Sequence, residues 1–267
     1  MTKTNQQKVK DFLINNGVII VMFILVIYTG FTSDNFFTKN NFMNILMNMS
    51  SRLVIALGIA GCVITAGCDL SAGRMIGFGA CISGMLLQRM DYSGKFFPDM
   101  QPLNVFVVAL IAMLVCAAFG TVTGFFIAYL NVPPFIATLA MMEIVYGIGL
   151  IVTNATPLGG YVEQYTNVSN GKFLGINYLI WIAIIVAAIT WFIFNMTRHG
   201  KYMYAIGGNP QAAEVAGVPV KATLILIYMK AAAMYGLAGF MLGAKAGGAS
   251  VPVSYTHLRA HETRHDL

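Results

Sequence analysis

Apolar residues occur along the chain in long runs that few polar residues interrupt. A helix that crosses a bilayer core needs about 20 apolar residues, and we interpret seven of the runs as such spans. The predicted spans are residues 12–31, 45–65, 75–87, 103–130, 135–152, 176–194 and 222–247. The pattern therefore predicts an all-α fold, a polytopic transmembrane helix bundle with about seven spans.

Polar and helix-breaking residues separate the predicted spans. The stretch from Asp69 to Arg74 lies between the second and third runs. Asn131, Pro133 and Pro134 follow the fourth run and should end its helix, because proline has no donor N–H and restrains the residue before it. Longer polar loops are predicted at 88–102, 153–175 and 195–221.

The composition supports a membrane protein. Hydrophobic residues make up 58% of the 267 residues, only 10% are charged, and the mean hydropathy is +0.73. Soluble domains carry about a quarter charged residues, since they need a polar surface around the core. The chain has too few charges for such a surface, which excludes an ordinary soluble domain.

The net charge of +6 is more typical of membrane topology than of nucleic-acid binding, because the basic residues are thinly spread. An N-terminus in the cytoplasm places seven basic residues in inner segments and four in outer loops. The inner residues are Lys3, Lys8, Lys10, Arg74, Arg198, Lys201 and Lys221, and the outer ones are Lys39, Arg89, Lys95 and Lys172. This bias predicts that residues 195–221 form a cytoplasmic loop.

The last residues differ in character from the rest of the chain. His257, His261 and His265 lie in a polar segment directly after a glycine-rich apolar run. A soluble tail is favoured over a metal site there, and a third interpretation is more specific, since residues 253–263 match one translated frame of a sequencing adapter. We therefore expect residues 1–252 to be an incomplete permease domain and 253–267 to be a non-native tail.

The sequence contains no motif of an enzyme active site. It lacks a Walker A loop, a GxSxG segment and an HExxH segment. The four cysteines form no CxxC pair, so they predict neither a metal nor a redox centre. We expect no catalytic residues, no bound metal and no cofactor in this chain.

A short helix is predicted within the loop at 195–221. Asn209 followed by Pro210 is typical of an N-cap with proline at the first helical position. Residues 211–216 favour helix, and Gly217 is a typical C-terminal stop. The alternative is a surface loop without a partner.

Several motifs together identify a family. Asp69-Leu-Ser-x-Gly73, with residues 205–217 reading Ala-Ile-Gly-Gly-Asn-Pro-x-Ala-Ala-x-x-x-Gly, resembles the permease subunits of bacterial ABC importers for ribose, galactose and related sugars. Residues 55–61, 128–136 and 87–91 extend the resemblance, the last of them to the galactose/methyl-galactoside type. The match runs in order from residue 10 to 252, and family members continue through further spans.

The resemblance implies roles for two sets of residues. It implies that 209–218 is the coupling helix that docks on the ATPase subunit, with small residues that permit close approach and Glu214 as a charge contact. The docking residues are Gly207, Gly208, Asn209, Pro210, Ala212, Ala213, Glu214 and Gly217. The structural or translocation motif comprises Asp69, Ser71, Gly73, Asn131 and Pro133.

The resemblance also implies the assembly. It predicts a multi-pass protein of the bacterial inner membrane, in contact with lipid, that translocates galactose or a methyl-galactoside, or else ribose. The expected partners are a separate ATPase subunit that uses ATP, a periplasmic sugar-binding protein and a second permease copy around the path. No nucleic-acid partner is expected.

Four charged positions near the spans leave alternatives open. Asp69 is expected to cap the third span with help from Ser71, or else to bind sugar directly, and Arg74 is a candidate ion-pair partner. Lys230 and Lys245 could extend to the membrane interface or line a hydrated path.

Glu143 could likewise line a hydrated path between helices, and it keeps a second function open. A carboxylate inside a span is what an ion-coupled secondary transporter would need. A membrane-embedded enzyme is the third class, for which we see no convergent polar cluster in the sequence.

Overall fold

The computed structural model describes residues 16–33 and 35–249. The predictions about Lys3, Lys8 and Lys10 and about the tail at 253–267 concern residues outside these ranges, as does the start of the first predicted span. The chain divides into two compact units, residues 1–46 and 47–267. The candidate site lies in the second unit.

Helices account for nearly all regular structure in the described residues. In chain order they are α1 (Gly17–Thr32), α2 (Lys39–Ile64), α3 (Ala72–Leu86), α4 (Val105–Tyr129), α5 (Pro134–Thr153), α6 (Glu163–Asn170), α7 (Tyr178–Met196), α8 (Arg198–Gly208), α9 (Pro210–Val215) and α10 (Val220–Ala246). A short antiparallel hairpin, β1 (Lys172–Phe173) with β2 (Ile176–Asn177), precedes α7.

The apolar helices correspond to the seven predicted spans. Five of them, α2, α4, α5, α7 and α10, are long and apolar enough to cross a membrane. Two more, α1 and α3, are apolar but shorter. The prediction of a helical transmembrane bundle is thereby confirmed.

The second helix begins earlier than predicted. It starts at Lys39, whereas the apolar run starts at Ile45. The hydroxyl of Thr38 accepts the backbone N–H of Asn41 at 3.3 Å, which compensates one of the unpaired N–H groups at a helix start. Polar residues can therefore form the first turns of this helix.

The loop predicted at 153–175 contains structure that the apolar pattern did not indicate. Helix α6 is mostly polar, but Tyr165 on it is fully buried and donates its hydroxyl hydrogen to the carbonyl oxygen of Phe240 at 2.7 Å. One buried aromatic residue thus attaches the loop to α10. A single such residue leaves no periodic signal in the sequence.

Helix α10 is the central packing element of the second unit. It packs against α3, α4, α6 and α8. At Gly120 of α4, an added Cβ would lie within 3.0 Å of the Tyr228 carbonyl oxygen, and at Gly239 within 3.0 Å of the Ile76 carbonyl oxygen. Only glycine permits backbones to approach this closely, as is typical of helix contacts in membranes.

We expect Gly120→Ala to destabilise the protein by about 1 to 3 kcal/mol, because the methyl group would push α4 and α10 apart. Gly147→Ala is the matched control, since Gly147 also lies in a membrane-spanning helix and has open space around its Cα. Thermal unfolding in detergent, followed by tryptophan fluorescence, measures both. Equal melting temperatures for the two variants would contradict the packing described here.

Candidate functional site

A non-helical segment, which we call the break, connects α2 to α3 over residues 65–71. Ala66 ends α2 with a positive φ of 56°, and the N–H of Gly67 reaches back to the carbonyl oxygen of Cys62 at 2.9 Å. Tyr228 of α10 donates its hydroxyl hydrogen to the carbonyl oxygen of Cys68 at 3.5 Å. A side chain of α10 thus replaces a helical partner that this carbonyl lacks.

Asp69 is the most connected polar residue of the break. Its Oδ1 accepts the backbone N–H of Ser71 at 3.0 Å and the Ser71 hydroxyl at 2.6 Å. Its Oδ2 accepts the hydroxyl of Tyr235 at 3.0 Å. Ser71 is the N-cap residue of α3, so Asp69 stabilises the entry to this helix through Ser71, close to the predicted capping role.

The Tyr235 bond places Asp69 deep along α10. Tyr235 is the sixteenth of the 27 residues of α10, which puts it about 22 Å from the start of that helix. Helix α3 has 15 residues, about 22 Å, and is shorter than a bilayer core of about 30 Å. The break therefore adds non-helical chain to the third span, and Asp69 lies within the thickness of the bundle.

Arg74 contacts an aromatic ring. Its guanidinium carbon lies 3.9 Å from the centroid of the Tyr146 ring on α5, a cation–π arrangement. Both oxygens of Asp69 accept bonds from Ser71 and Tyr235, and the expectation that Arg74 is its ion-pair partner stays a prediction. Gly73, next to Arg74, is a half-buried residue of the first turn of α3.

Asn131 and Pro133 form the tight connection between α4 and α5. Asn131 has a positive φ of 54°, and the N–H of Val132 bonds to the carbonyl oxygen of Phe126 at 3.2 Å. Pro133 is the N-cap residue of α5 and Pro134 its first residue. The predicted end of the fourth span is confirmed, and both motif residues act here in the turn.

The loop predicted at 195–221 contains two helices instead of one. Thr197 accepts the N–H of Gly200 at 3.3 Å and begins α8. Met203 and Ile206 of α8 are buried at 1% and 2% exposure. Two apolar residues three positions apart, within an otherwise polar and glycine-containing stretch, are too weak a pattern to predict this helix.

Helix α9 forms as predicted. The side chain of Asn209 accepts the N–H of Ala212 at 3.0 Å, and Pro210 is the first helical residue. Gly217 has a φ of 82°, and the N–H of Val218 bonds to the carbonyl oxygen of Ala213 at 3.0 Å. This bond closes the C-terminal end in the manner of a glycine stop.

The small residues of this helix pair serve two purposes. An added Cβ on Gly207 would lie within 3.0 Å of the carbonyl oxygen of Ile64, and Ala213 is buried. These two residues thus permit close packing within the chain, which corrects the expectation that they face a partner. The outward face consists of the exposed residues of this segment, which are Gly208, Asn209, Pro210, Gln211, Ala212, Glu214, Val215, Ala216 and Gly217.

Val215 is the residue of this face that sequence reasoning missed. It is 91% exposed, although it is apolar and the helix around it is well ordered by its caps. Its position two residues after the buried Ala213 places it on the opposite side of α9. The two-residue spacing between Ala213 and Val215 was the feature of the sequence from which this exposure could have been predicted.

Lys230 and Lys245 have different surroundings. Lys230 lines a cavity between α2, α7, α8 and α10, together with Leu57, Gly58, Thr190, Phe194 and Met203. The pKa of His199 in α8 is lowered to about 4, mainly because the imidazole is partly buried and secondly because Lys230 is positively charged. This histidine is therefore neutral at physiological pH. Lys245 donates a hydrogen bond to the side-chain oxygen of Asn48 on α2.

Comparison with known proteins identifies relatives along almost the whole chain. Residues 41–258 match the family described as the permease component of branched-chain amino acid transport systems. The galactose/methyl galactoside import permease protein of Escherichia coli strain K12 is 38% identical over 257 residues, which cover 94% of this chain and 76% of the relative. The protein of the same name from Haemophilus influenzae is 39% identical with the same coverage.

A second group of relatives is more distant. The ribose import permease protein of Escherichia coli strain K12 is 30% identical over 236 residues, which cover 87% of this chain and 70% of the relative. No solved structure matches the chain.

The bond between Tyr235 and Asp69 should contribute measurably to stability. We expect Tyr235→Phe to cost about 1 to 3 kcal/mol, because a half-buried carboxylate loses a hydrogen-bond donor. Tyr228→Phe is the control, since this tyrosine is equally buried on the same helix but its hydroxyl contact is 3.5 Å long. A larger fall in melting temperature for Tyr228→Phe than for Tyr235→Phe would refute this account of the break.

Proposed function

Because the chain belongs to the family of permease components of branched-chain amino acid transport systems, it is a multi-pass transport subunit of the inner membrane, and we propose that its substrate is galactose or a methyl galactoside. The observation that carries the proposal is the 38% identity to a galactose/methyl galactoside import permease protein over 94% of this chain. The lower identity to a ribose import permease protein makes ribose the next candidate.

We propose further that the energy comes from a separate ATPase subunit. The chain has no Walker A loop, so it would need neither a nucleotide nor a cofactor of its own. A periplasmic sugar-binding protein would deliver the substrate, and two copies of the permease would enclose the path. Basic residues are more numerous in the predicted inner segments than in the outer loops, which supports placing α8 and α9 on the cytoplasmic side, where ATP is available.

We assign the docking role to the outward face of α9. An apolar side chain that is 91% exposed next to an exposed carboxylate is a suitable anchor for a partner cleft, because apolar burial and one charge contact then act together. The capping bonds of Asn209 and the Gly217 stop hold this face in one conformation. A rigid short helix can transmit the closure of a partner as a rigid-body movement.

The substrate assignment predicts uptake. Cells that lack their own galactose permease should accumulate radiolabelled galactose when this permease is expressed with its ATPase and binding-protein subunits. Unlabelled methyl galactoside should compete more strongly than ribose. Ribose uptake without galactose uptake would overturn the assignment to galactosides and leave the transport class intact.

The docking assignment predicts loss of the ATPase subunit from purified complexes. We expect Val215→Asp and Glu214→Arg each to reduce its co-purification and sugar uptake by about tenfold or more, the effect of about 1.4 kcal/mol or more at an interface anchor. Gly208→Trp should act in the same way, since it adds bulk to the same face.

Leu174→Asp is the matched control for these variants. Leu174 is an exposed apolar residue in the turn between β1 and β2, on the side of the membrane that we predict to be periplasmic. The Leu174→Asp substitution should leave the co-purification of the ATPase subunit unchanged. Normal association of the α9 variants would show that another element forms the docking site.

A further inference from the structure

Glu143 lies at the middle of a helix that is long enough to cross the bilayer. It is the tenth of the 20 residues of α5, so it lies about 15 Å from either end of a helix that matches a core of about 30 Å. Its side chain is exposed on the surface of the chain. Among the described helices of membrane-spanning length, it is the only acidic residue.

A carboxylate in this position does not face lipid. Ionisable residues at the centre of a membrane are costly and point into the bundle or into a water-filled cavity. The opposite face of α5 already packs inside the chain, where Met141 and Val145 are buried. The face that carries Glu143 must therefore be covered by water or by protein.

The surroundings of Glu143 are suited to a polar ligand. Ala140 and Gly147, one turn before and one turn after it on the same face, are small, whereas Leu139, also one turn before it, is a large exposed apolar residue. Gly147 has open space around its Cα. Tyr146, on the adjacent turn, holds the guanidinium of Arg74 against its ring at 3.9 Å. Glu143 and Tyr146 thus lie within one turn of each other on α5, and Arg74 of α3 contacts the Tyr146 ring.

We propose that Glu143 lines the translocation path and accepts hydrogen bonds from the hydroxyl groups of the passing sugar, so that it contributes to substrate selection. The proposal rests on the proposed sugar-import function. A carboxylate accepts two or more hydroxyl donors at once, and these bonds are strong because one partner is charged. A path that offers such bonds favours neutral polyhydroxylated molecules over apolar ones.

Accessibility to water tests the position of the residue. Glu143→Cys should react with a membrane-impermeant, water-soluble thiol reagent in a Cys68→Ser background, because Cys68 is the native cysteine that is not fully buried. Leu114→Cys is the control, since Leu114 lies mid-helix among exposed large apolar residues of α4. Galactose should slow the labelling of Glu143→Cys, whereas Leu114→Cys should not react.

Either of two results of this experiment overturns the proposal. An unreactive cysteine at position 143 would mean that protein covers this face. Labelling that galactose does not slow would mean that the sugar passes elsewhere.

Galactose uptake tests whether the carboxylate of Glu143 forms hydrogen bonds to the sugar. Glu143→Leu should reduce galactose uptake by about tenfold or more, the loss of one hydrogen bond to a charged group. Glu143→Gln should retain uptake within about threefold, because the amide still accepts and donates hydrogen bonds. Co-purification of the ATPase subunit should be unchanged in both variants.

The remaining outcomes separate the proposal from its premise. Unchanged uptake with Glu143→Leu would refute the role of the carboxylate. Complete loss with Glu143→Gln, together with collapse of parental uptake by an ionophore, would assign Glu143 to ion coupling instead. No galactose uptake by the parent protein would refute the proposed substrate, while the labelling rate would still decide whether Glu143 faces water.

Discussion

The backbone contact between α4 and α10 determines how the second unit is arranged. Lipid tails are as apolar as leucine, so helices in a membrane gain little from burying apolar side chains and depend on close packing. Gly120 allows α4 to lie directly on the carbonyl of Tyr228, and Gly239 allows α10 to lie on α3. These two close backbone contacts restrict the rotation of α10 about its own axis.

The rotation of α10 in turn positions the break. Tyr228 and Tyr235 are seven residues apart, two helical turns, so both side chains point toward residues 65–71. Their hydroxyl groups bond to the carbonyl of Cys68 and the carboxylate of Asp69. Non-helical backbone is tolerated at membrane depth only where protein or water satisfies its polar groups, and these tyrosines provide that satisfaction.

Sequence patterns predicted the elements that are stabilised by interactions between residues close together in the sequence. Apolar runs indicated the membrane helices, and the Asn209, Pro210 and Gly217 positions indicated α9 because capping involves residues close in sequence. Helices α6 and α8 were missed, since each is held by one or two buried side chains that contact distant elements. The bond from Tyr235 to Asp69 joins residues 166 positions apart, and no local pattern carries that information.

The contact between Gly207 and Ile64 connects the surface helix pair to the interior. Ile64 is the last residue of α2, directly before the break, and Gly207 lies against its carbonyl group. The pair is thus joined to the bundle by the chain at α7 and α10, by the buried side chains of Met203 and Ile206, and by this backbone contact. A displacement of α8 and α9 as one body would therefore act directly on the start of the break, where the chain is not held by helical hydrogen bonds.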